Sequence, residues 1–328
     1  MVRVETRRDG VEGAGDEPAA GLKRRALPAP RVMTGRELRW LDAQRGFIKT
    51  SERIIDRVLA RWVYPYLFAL WHPYCWQLPR DLEVATARLA PPRWPAGVPP
   101  LRVLHVSDIH TGVFLRPEVL HEVCERLMQL RPDLVAITGD IVEGSLADLD
   151  GFLPALGVLT RAPEGAWFCL GNHDYFSEAT DAIRAELASV GIVTLRNETH
   201  VLASGIRIGG IDDRILGTPD WEALGADGPP HLLLTHHPDD FYDAEGRGIA
   251  LVLAGHTHGG QIRLPNGPPI IRQSRFHLDE GLYAFGGSLL EVSRGLGAVG
   301  LPWRAGALPE AVLLELVAPD PAVAPKPS

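Results

Sequence analysis

From residue 101 onward, short apolar runs alternate with segments whose apolar residues recur at helical spacing. The runs predicted to be buried strands are 101–106, 134–138, 166–170, 206–211, 231–235 and 250–254. The segments predicted to be helices are 117–130, 146–159 and 177–190. Such alternation favours a layered α/β domain. Later strands, around residues 283–293 and 311–317, have no helix between them. Part of the sheet system is therefore predicted to be mixed or antiparallel.

Residues that can bind metal ions directly follow five of these predicted strands. They lie in the segments Asp108-Ile109-His110, Gly139-Asp140, Gly171-Asn172-His173-Asp174, His236 and Gly255-His256-Thr257-His258. Any one of them alone fits a helix cap, a turn or a satisfied polar group. In α/β sheets, however, the carboxyl ends of strands form the crevice in which ligands bind, so the five segments are predicted to meet there. Residues two positions apart, such as Asp108 and His110, can lean toward the same side of the chain.

The order of these motifs resembles that of the calcineurin-like metallophosphoesterase superfamily over about residues 101–318. The resemblance implies a four-layer α/β/β/α sandwich, to which this chain adds an N-terminal helical extension. It also implies a centre with two metal ions. In that centre Asp108, His110 and His258 would hold one ion. Asn172, His236 and His256 would hold the other, and Asp140 would bridge the two.

The residue types in these motifs suit a hydrolytic metal centre. Carboxylate oxygen, amide oxygen and neutral imidazole together suit divalent manganese, zinc or iron, and no cysteine lies in the motifs. Two such ions can share a hydroxide that attacks phosphorus. His173 is predicted to protonate the leaving oxygen or stabilise the transition state, with an orienting role behind the ligands as the alternative. Asp174 is predicted to hold His173 in position.

Differences from the superfamily's motifs indicate which branch of the superfamily this chain resembles. Protein Ser/Thr phosphatases carry Gly-Asp-x-Val-Asp-Arg-Gly and Gly-Asn-His-Glu, whereas this chain has Glu143 at the second acidic position of the first motif and Asp174 at the end of the second. A phosphoprotein phosphatase is therefore disfavoured. The stretches 255–261 and 293–297 resemble a branch that includes cell-envelope phosphodiesterases and hydrolases of the lipid A precursor UDP-2,3-diacylglucosamine.

Other polar residues receive weaker assignments. Arg294 is a candidate to neutralise a substrate phosphate, and a structural salt bridge is the alternative. The sequence Ile211-Asp212-Asp213 recurs in the same branch but equally fits a turn at a strand end. The remaining histidines are predicted to be structural or solvent-facing; they are His72, His105, His121, His200, His231, His237 and His277.

Charge is unevenly distributed along the chain. Residues 1–95 carry 17 basic and 11 acidic groups, whereas residues 96–328 carry 16 and 30. The acidic portion argues against polymeric nucleic acid as a partner, and the basic portion suits an anionic cytoplasmic leaflet. Three widely spaced cysteines without a Cys-x-x-Cys pair favour a reducing compartment. No apolar stretch follows either Arg-Arg pair, so no export signal is predicted and the expected location is the cytoplasm.

The chain divides into four predicted parts. These are a disordered tail over 1–35, a helical, aromatic-rich extension with a Pro-rich linker over 36–95, the catalytic domain over 96–318 and a loose tail over 319–328. The run 62–79 has no charged residue but many aromatic ones, which favours a membrane–water interface over a spanning helix. Residues 36–79 are therefore predicted to bind the inner face of the cytoplasmic membrane peripherally. The alternative is that these aromatic residues pack on the catalytic domain.

The predicted function is hydrolysis of a phosphodiester or pyrophosphate bond by a metal-bridging hydroxide. The expected substrate is a small-molecule or lipid-linked phosphate related to the cell envelope. A small-nucleotide phosphodiesterase is the alternative among enzymes, and a non-catalytic scaffold of the same fold is the alternative of another class. A scaffold would be expected to have lost metal ligands, whereas all seven ligand positions and His173 are present.

Overall fold

Strands and helices alternate along the chain, as predicted for an α/β protein. The computed structural model describes residues 22–33, 72–264, 267–270 and 272–319. Its α-helices are α1 (Pro73–Asp81), α2 (Pro117–Met128), α3 (Leu153–Val158), α4 (Asn172–Phe176), α5 (Thr180–Ser189), α6 (Trp221–Leu224) and α7 (Phe241–Gly246). Its strands are β1 (Lys23–Ala26), β2 (Arg31–Val32), β3 (Glu83–Leu89), β4 (Leu101–Val106), β5 (Leu134–Thr138), β6 (Ala166–Cys169), β7 (Ile192–Leu195), β8 (Glu198–Val201), β9 (Arg207–Gly210), β10 (Leu232–Leu234), β11 (Leu251–Ala254), β12 (Gly281–Phe285), β13 (Ser288–Val292) and β14 (Glu310–Leu316).

The strands of the described residues form two sheets of seven strands each. Sheet 1 has the order β1-β3-β14-β4-β5-β6-β7, and sheet 2 has the order β2-β12-β13-β11-β10-β9-β8. In sheet 1, β4 to β7 are parallel, whereas β14 pairs with β4 in the antiparallel sense. In sheet 2, β9, β10, β11 and β13 are parallel, whereas β8 and β12 pair antiparallel with their neighbours β9 and β13. The predicted mixed character of the sheets is therefore confirmed.

Three hydrophobic clusters separate four layers. On β5, Val135 and Ile137 belong to a cluster shared with α2, α3 and α5, whereas Leu134 and Ala136 belong to a cluster between the two sheets. This division follows from the alternation of side chains along a strand. A third cluster contains Phe241 of α7 and packs it on the outer face of sheet 2. The result is the expected four-layer α/β/β/α sandwich.

Several predicted elements are shorter in the structure than in the sequence pattern. The predicted helix 146–159 is divided into a 3₁₀ turn at Leu146–Leu149 and α3, since Gly151 between them has φ +80°. The predicted helix 177–190 begins only at Thr180, because Glu178 has φ 56° and interrupts helical geometry. The region around 283–293 is an antiparallel hairpin of β12 and β13.

Two boundaries at the N-terminal side of the catalytic domain are corrected. Within the tail predicted to be disordered, β1 pairs in parallel with β3, and Leu27 directly after β1 is buried. Within the predicted linker, β3 lies between β1 and β14 as an interior strand of sheet 1. The prolines of residues 79–100 leave a Pro-free stretch at β3, which is why proline content misplaced the boundary.

The predicted helices of residues 36–63 lie outside the described residues, as does the aromatic run up to residue 71. The end of that run forms α1, which begins at Pro73. In the part of the chain that the structure describes, no helix is long and apolar enough to cross a membrane. The three cysteines are free thiols.

Candidate metal centre

The loops that follow β4, β5, β6, β10 and β11 converge at the carboxyl ends of the two sheets. The first three strands are neighbours in sheet 1 and the last two are neighbours in sheet 2, so both sheets supply side chains to one site. Each loop carries one of the predicted motifs. The seven predicted ligands are thereby brought together, namely Asp108, His110, Asp140, Asn172, His236, His256 and His258.

Asp108, His110 and His258 form the first cluster. The Nε2 atom of His258 lies 3.3 Å from Oδ1 of Asp108 and 3.2 Å from Nε2 of His110. One donor atom from each residue falls within 4.8 Å of the others. Two ligands of one ion at the ~2.0–2.2 Å bond lengths of divalent zinc sites would stand about 3 Å apart, so these separations suit a shared ion.

Asn172, His236 and His256 form the second cluster. The Nε2 atom of His236 lies 3.1 Å from Oδ1 of Asn172 and 3.2 Å from Nδ1 of His256. An amide oxygen and two imidazole nitrogens face each other here. This donor set matches the one that the motif resemblance implies for the second ion.

Asp140 lies between the two clusters. Its Oδ2 atom is 3.1 Å from Nε2 of His236 in the second cluster and 3.8 Å from Nε2 of His110 in the first. One carboxylate oxygen thus faces a ligand of each set. A bridging carboxylate requires this placement.

The backbone at the ligands is held in an unusual conformation. Asp108, His110, Asp140, His256 and His258 have φ of 49°, 47°, 53°, 70° and 51°. Non-glycine residues in this left-handed region cost of order 1–3 kcal/mol each and concentrate at functional sites. The loops after β5 and β6 lie so close together that position 171 must be glycine, because a Cβ on Gly171 would lie 2.2 Å from Oδ1 of Asp140.

The site concentrates buried negative charge beside imidazoles. Burial alone would raise the pKa of Asp108, but contacts with His258 and His236 hold that pKa well below its usual range. The pKa of Asp140 is lowered against burial in the same way, chiefly by His236. Burial would lower the pKa of His236, yet the Asp140 and Asp108 carboxylates raise it to about 10. Burial lowers the pKa of His258 to about 4. Buried carboxylates need a compensating cation, and divalent ions would supply that charge.

Three of the candidate ligand imidazoles have a neighbouring group at their other ring nitrogen. Nδ1 of His236 donates to the carbonyl oxygen of Thr138 at 2.8 Å, which leaves Nε2 as the metal-facing atom. Nδ1 of His110 lies 2.8 Å from Oε2 of Glu143. Nδ1 of His258 accepts from Nη2 of Arg304 at 2.9 Å. These partners fix the orientation of the rings.

This chain is similar to known proteins. Residues 101–260 match the calcineurin-like phosphoesterase family. YkuE of Bacillus subtilis (strain 168), an uncharacterized metallophosphoesterase, is 34% identical over 232 residues, which cover 68% of this chain and 81% of that protein. The phosphodiesterase YaeI of Escherichia coli (strain K12) is 32% identical over 231 residues, which cover 66% of this chain and 83% of that protein. The chain belongs to the calcineurin-like phosphoesterase family. It is a hydrolase of phosphoric esters, and its Asp and His clusters are able to bind the divalent metals that the family uses.

His173 of this phosphoesterase stands beside the first cluster. Its Nδ1 atom donates to the carbonyl oxygen of Glu143 at 2.6 Å, and its ring packs edge-on against His110 with centroids 4.7 Å apart. Because Nδ1 carries the donated proton, Nε2 is the atom that can exchange a proton with a substrate. Glu143 therefore contacts both His110 and His173, through its side chain and its main chain respectively.

The predicted role of Asp174 is corrected. Its carboxylate does not hold His173 but accepts hydrogen bonds of 2.8–3.3 Å from four backbone N–H groups, those of Gly171, Asp140, Ile141 and Val142. Burial and the neighbouring Asp140 raise the pKa of Asp174 to about 7, although the bonds from Gly171 and Val142 oppose that shift. Asp174 thus ties the Asp140 loop to the start of α4.

The predicted substrate role of Arg294 is also corrected. Its buried guanidinium lies 2.6 Å from Glu83 and 3.1 Å from Glu310, with Glu280 at 3.7 Å. Three carboxylates already neutralise this cation. Arg294 therefore takes the alternative role of a structural salt bridge, which joins the loop after β13 to β3 and β14.

Arg304 connects helix α1 to the first cluster through hydrogen bonds. Sequence patterns did not single out this residue. The Gln77 amide bonds the backbone N–H and carbonyl of Arg304 at 2.8 Å and 2.7 Å. The Arg304 guanidinium is wholly buried and donates to the carbonyl oxygens of Gly297 and Arg294 as well as to His258. Within the described part of the chain no carboxylate pairs with this buried arginine, and main-chain oxygens and the His258 ring accept its hydrogen bonds.

Asp213, which the sequence assigned only to a turn, lies next to the second cluster and contacts it through His237. The His237 ring contacts the His256 ring at a tilted angle of 53° with centroids 3.8 Å apart, and Nε2 of His237 lies 3.1 Å from Oδ2 of Asp213. The other oxygen of Asp213 accepts from the N–H groups of Ile215 and Leu216, so the predicted turn is present too. His237 and Asp213 therefore back the His256 ligand.

Proposed function

We propose that this phosphoesterase cleaves a phosphodiester or pyrophosphate bond with two divalent ions. One ion would be held by Asp108, His110 and His258, the other by Asn172, His236 and His256, with Asp140 shared. The placement of Asp140 carries the proposal, because its Oδ2 atom lies 3.1 Å from His236 and 3.8 Å from His110. When bound, two ions would supply an activated water as nucleophile and neutralise charge on the phosphoryl oxygens.

His173 supplies the proton in this proposal. Its Nδ1 is engaged by the Glu143 carbonyl, so the proton for the leaving oxygen would be held at Nε2. The edge-on contact with His110 keeps the ring beside the first cluster. No phosphorylated enzyme intermediate is needed, since water is the attacking group.

The proposed substrate is a lipid-linked or envelope-related phosphate. The resemblance of the stretches 255–261 and 293–297 to envelope-lipid hydrolases supports it, whereas the 32% identity to a protein named as a phosphodiesterase supports only a diester bond. A small-nucleotide phosphodiesterase would use the same centre. The lipid-linked and the nucleotide substrates differ in the groups attached to the phosphate.

A hydrolysis screen with manganese tests the proposal. The substrates are UDP-diacylglucosamine, a lipid phosphate, cyclic nucleotides and bis(p-nitrophenyl) phosphate as a generic diester. We expect turnover of the generic diester and a higher kcat/KM for a lipid-linked substrate than for any cyclic nucleotide, with Asp140→Asn as the inactive control. Preference for cyclic nucleotides would replace the lipid assignment. No turnover of any substrate by metal-loaded protein would favour a scaffold and overturn the proposal.

A further inference from the structure

Five exposed apolar side chains lie in α1, in the loop after β11 and in the loop after β13. Among the described residues, the members of this group are exposed to 80% (Trp76), 70% (Leu264), 68% (Ile270), 50% (Leu301) and 45% (Trp303). Single exposed apolar residues are ordinary, but a group of this kind marks an interaction site. We call these five side chains the apolar rim.

Hydrogen bonds hold the segments of the apolar rim together. The Gln77 amide, next to Trp76, bonds the backbone of Arg304, next to Trp303. Arg263, next to Leu264, bonds the carbonyl of Ala305 at 2.8 Å and forms a β-bridge with Pro269, next to Ile270. The three parts of the chain that carry the rim are therefore joined to one another.

The apolar rim adjoins the metal centre. Its 299–306 loop is tied to Gln261, three residues after the ligand His258, by bonds from the Gln261 amide to the carbonyls of Val299 and Leu301. Arg304 in that loop reaches the His258 ring. The 299–306 loop, which carries two of the rim residues, is thus joined to the first cluster through the buried Arg304 side chain.

We infer that the apolar rim docks on the surface of a phospholipid bilayer that contains anionic lipid. Tryptophan at two of the five positions suits the interfacial region of a bilayer, where an apolar ring and a polar N–H are both accommodated. The sequence that precedes α1 supports a bilayer as the partner of the rim. Residues 34–71 precede α1 in the sequence and end five positions before Trp76. They contain seven basic, four acidic and seven aromatic residues. A sequence that combines basic and aromatic residues is typical of segments that bind anionic headgroups.

Docking of this kind would bring a membrane-embedded phosphate to the centre. In that respect the inference rests on the proposed function, whereas the bilayer contact itself does not. Deletion of the residues before Pro95 would not be a clean test of bilayer binding, since β1 and the interior strand β3 would be lost. Substitution of exposed residues avoids that loss.

The test is co-sedimentation of full-length, metal-loaded protein with phosphatidylglycerol-containing vesicles. We expect the double variant Trp76→Ser, Trp303→Ser to bind at least about tenfold more weakly than wild type, because two rings would no longer be buried in the interface. The matched control is Val201→Ser, whose side chain is exposed to 70% on β8 and should bind as wild type. Metal content of all variants should match wild type, and a cooperative thermal transition well above the assay temperature should show that they are folded, since Trp303 is only 45% exposed and its loss can lower the midpoint.

Other outcomes decide against the inference. Wild type that stays in the supernatant, or a double variant that binds as tightly as wild type, overturns it. Concentration-dependent dimerisation that Trp76→Ser abolishes, without vesicle binding, would assign the rim to a second copy of the chain instead. Failure of the proposed function would be seen separately, as absence of bis(p-nitrophenyl) phosphate hydrolysis by protein that still binds vesicles.

Discussion

Replacement of Gln77 by alanine should destabilise the phosphoesterase although Gln77 is far from the ligands in sequence. The change removes both bonds to the Arg304 backbone, of 2.7 Å and 2.8 Å, in a buried environment. A buried N–H or C=O left without a partner costs about 1–3 kcal/mol. Partial rescue by a water molecule in the vacated space lowers the sum, so we expect the free energy of unfolding to fall by about 2–4 kcal/mol.

Thermal unfolding of metal-loaded protein measures this effect. For a chain of this size the expected loss corresponds to a fall in Tm of roughly 3–6 °C. Because Arg304 contacts the His258 ring, manganese affinity should also fall, by about tenfold. Trp76→Ala on the same helix is the control and should change the free energy of unfolding by less than about 0.5 kcal/mol, since its side chain is exposed. A Gln77→Ala protein as stable as this control would refute the reasoning.

Two further substitutions separate acid catalysis from metal binding. His173→Ala should lower kcat by about 10²–10⁴-fold on diesters with poor leaving groups and much less on p-nitrophenyl esters, while metal content stays that of wild type; loss of metal would make His173 a ligand. Glu143→Gln keeps the carbonyl that holds His173 but weakens the charged contact to His110. It should therefore lower metal affinity by about 10–100-fold with little change in leaving-group dependence, and an unchanged metal affinity would contradict its assigned role.

That the seven candidate ligands lie close together could be predicted, because their positions depend on the ends of local strands. Strand periodicity located the ends of β4, β5, β6, β10 and β11, and a parallel arrangement places those ends together. The mistaken role of Asp174 shows the limit of adjacency in sequence. At the first turn of α4 its carboxylate turns back to the N–H of Gly171, as in a capping box, rather than toward the neighbouring His173.

Other features could not be predicted because they depend on contacts between distant residues. The Lys23–Ala26 strand has a charged sequence with no alternation, and it forms because β3 offers a free edge and because Arg25 pairs with Glu310. Arg294 and Arg304 are both arginines near the site, yet one faces three carboxylates and the other faces carbonyl oxygens and His258. Only the fold distinguishes them.

The shared position of Asp140 is the central claim, and metal stoichiometry tests it most directly. Purified protein, stripped and reconstituted with manganese, would be analysed for metal per chain beside Asp140→Asn, with bis(p-nitrophenyl) phosphate hydrolysis followed in the same samples. We expect close to two ions per wild-type chain, a loss of bound metal in Asp140→Asn and removal of most activity, because one carboxylate faces both clusters. One ion or none per active wild-type chain, with Asp140→Asn equally active, would contradict the dinuclear account.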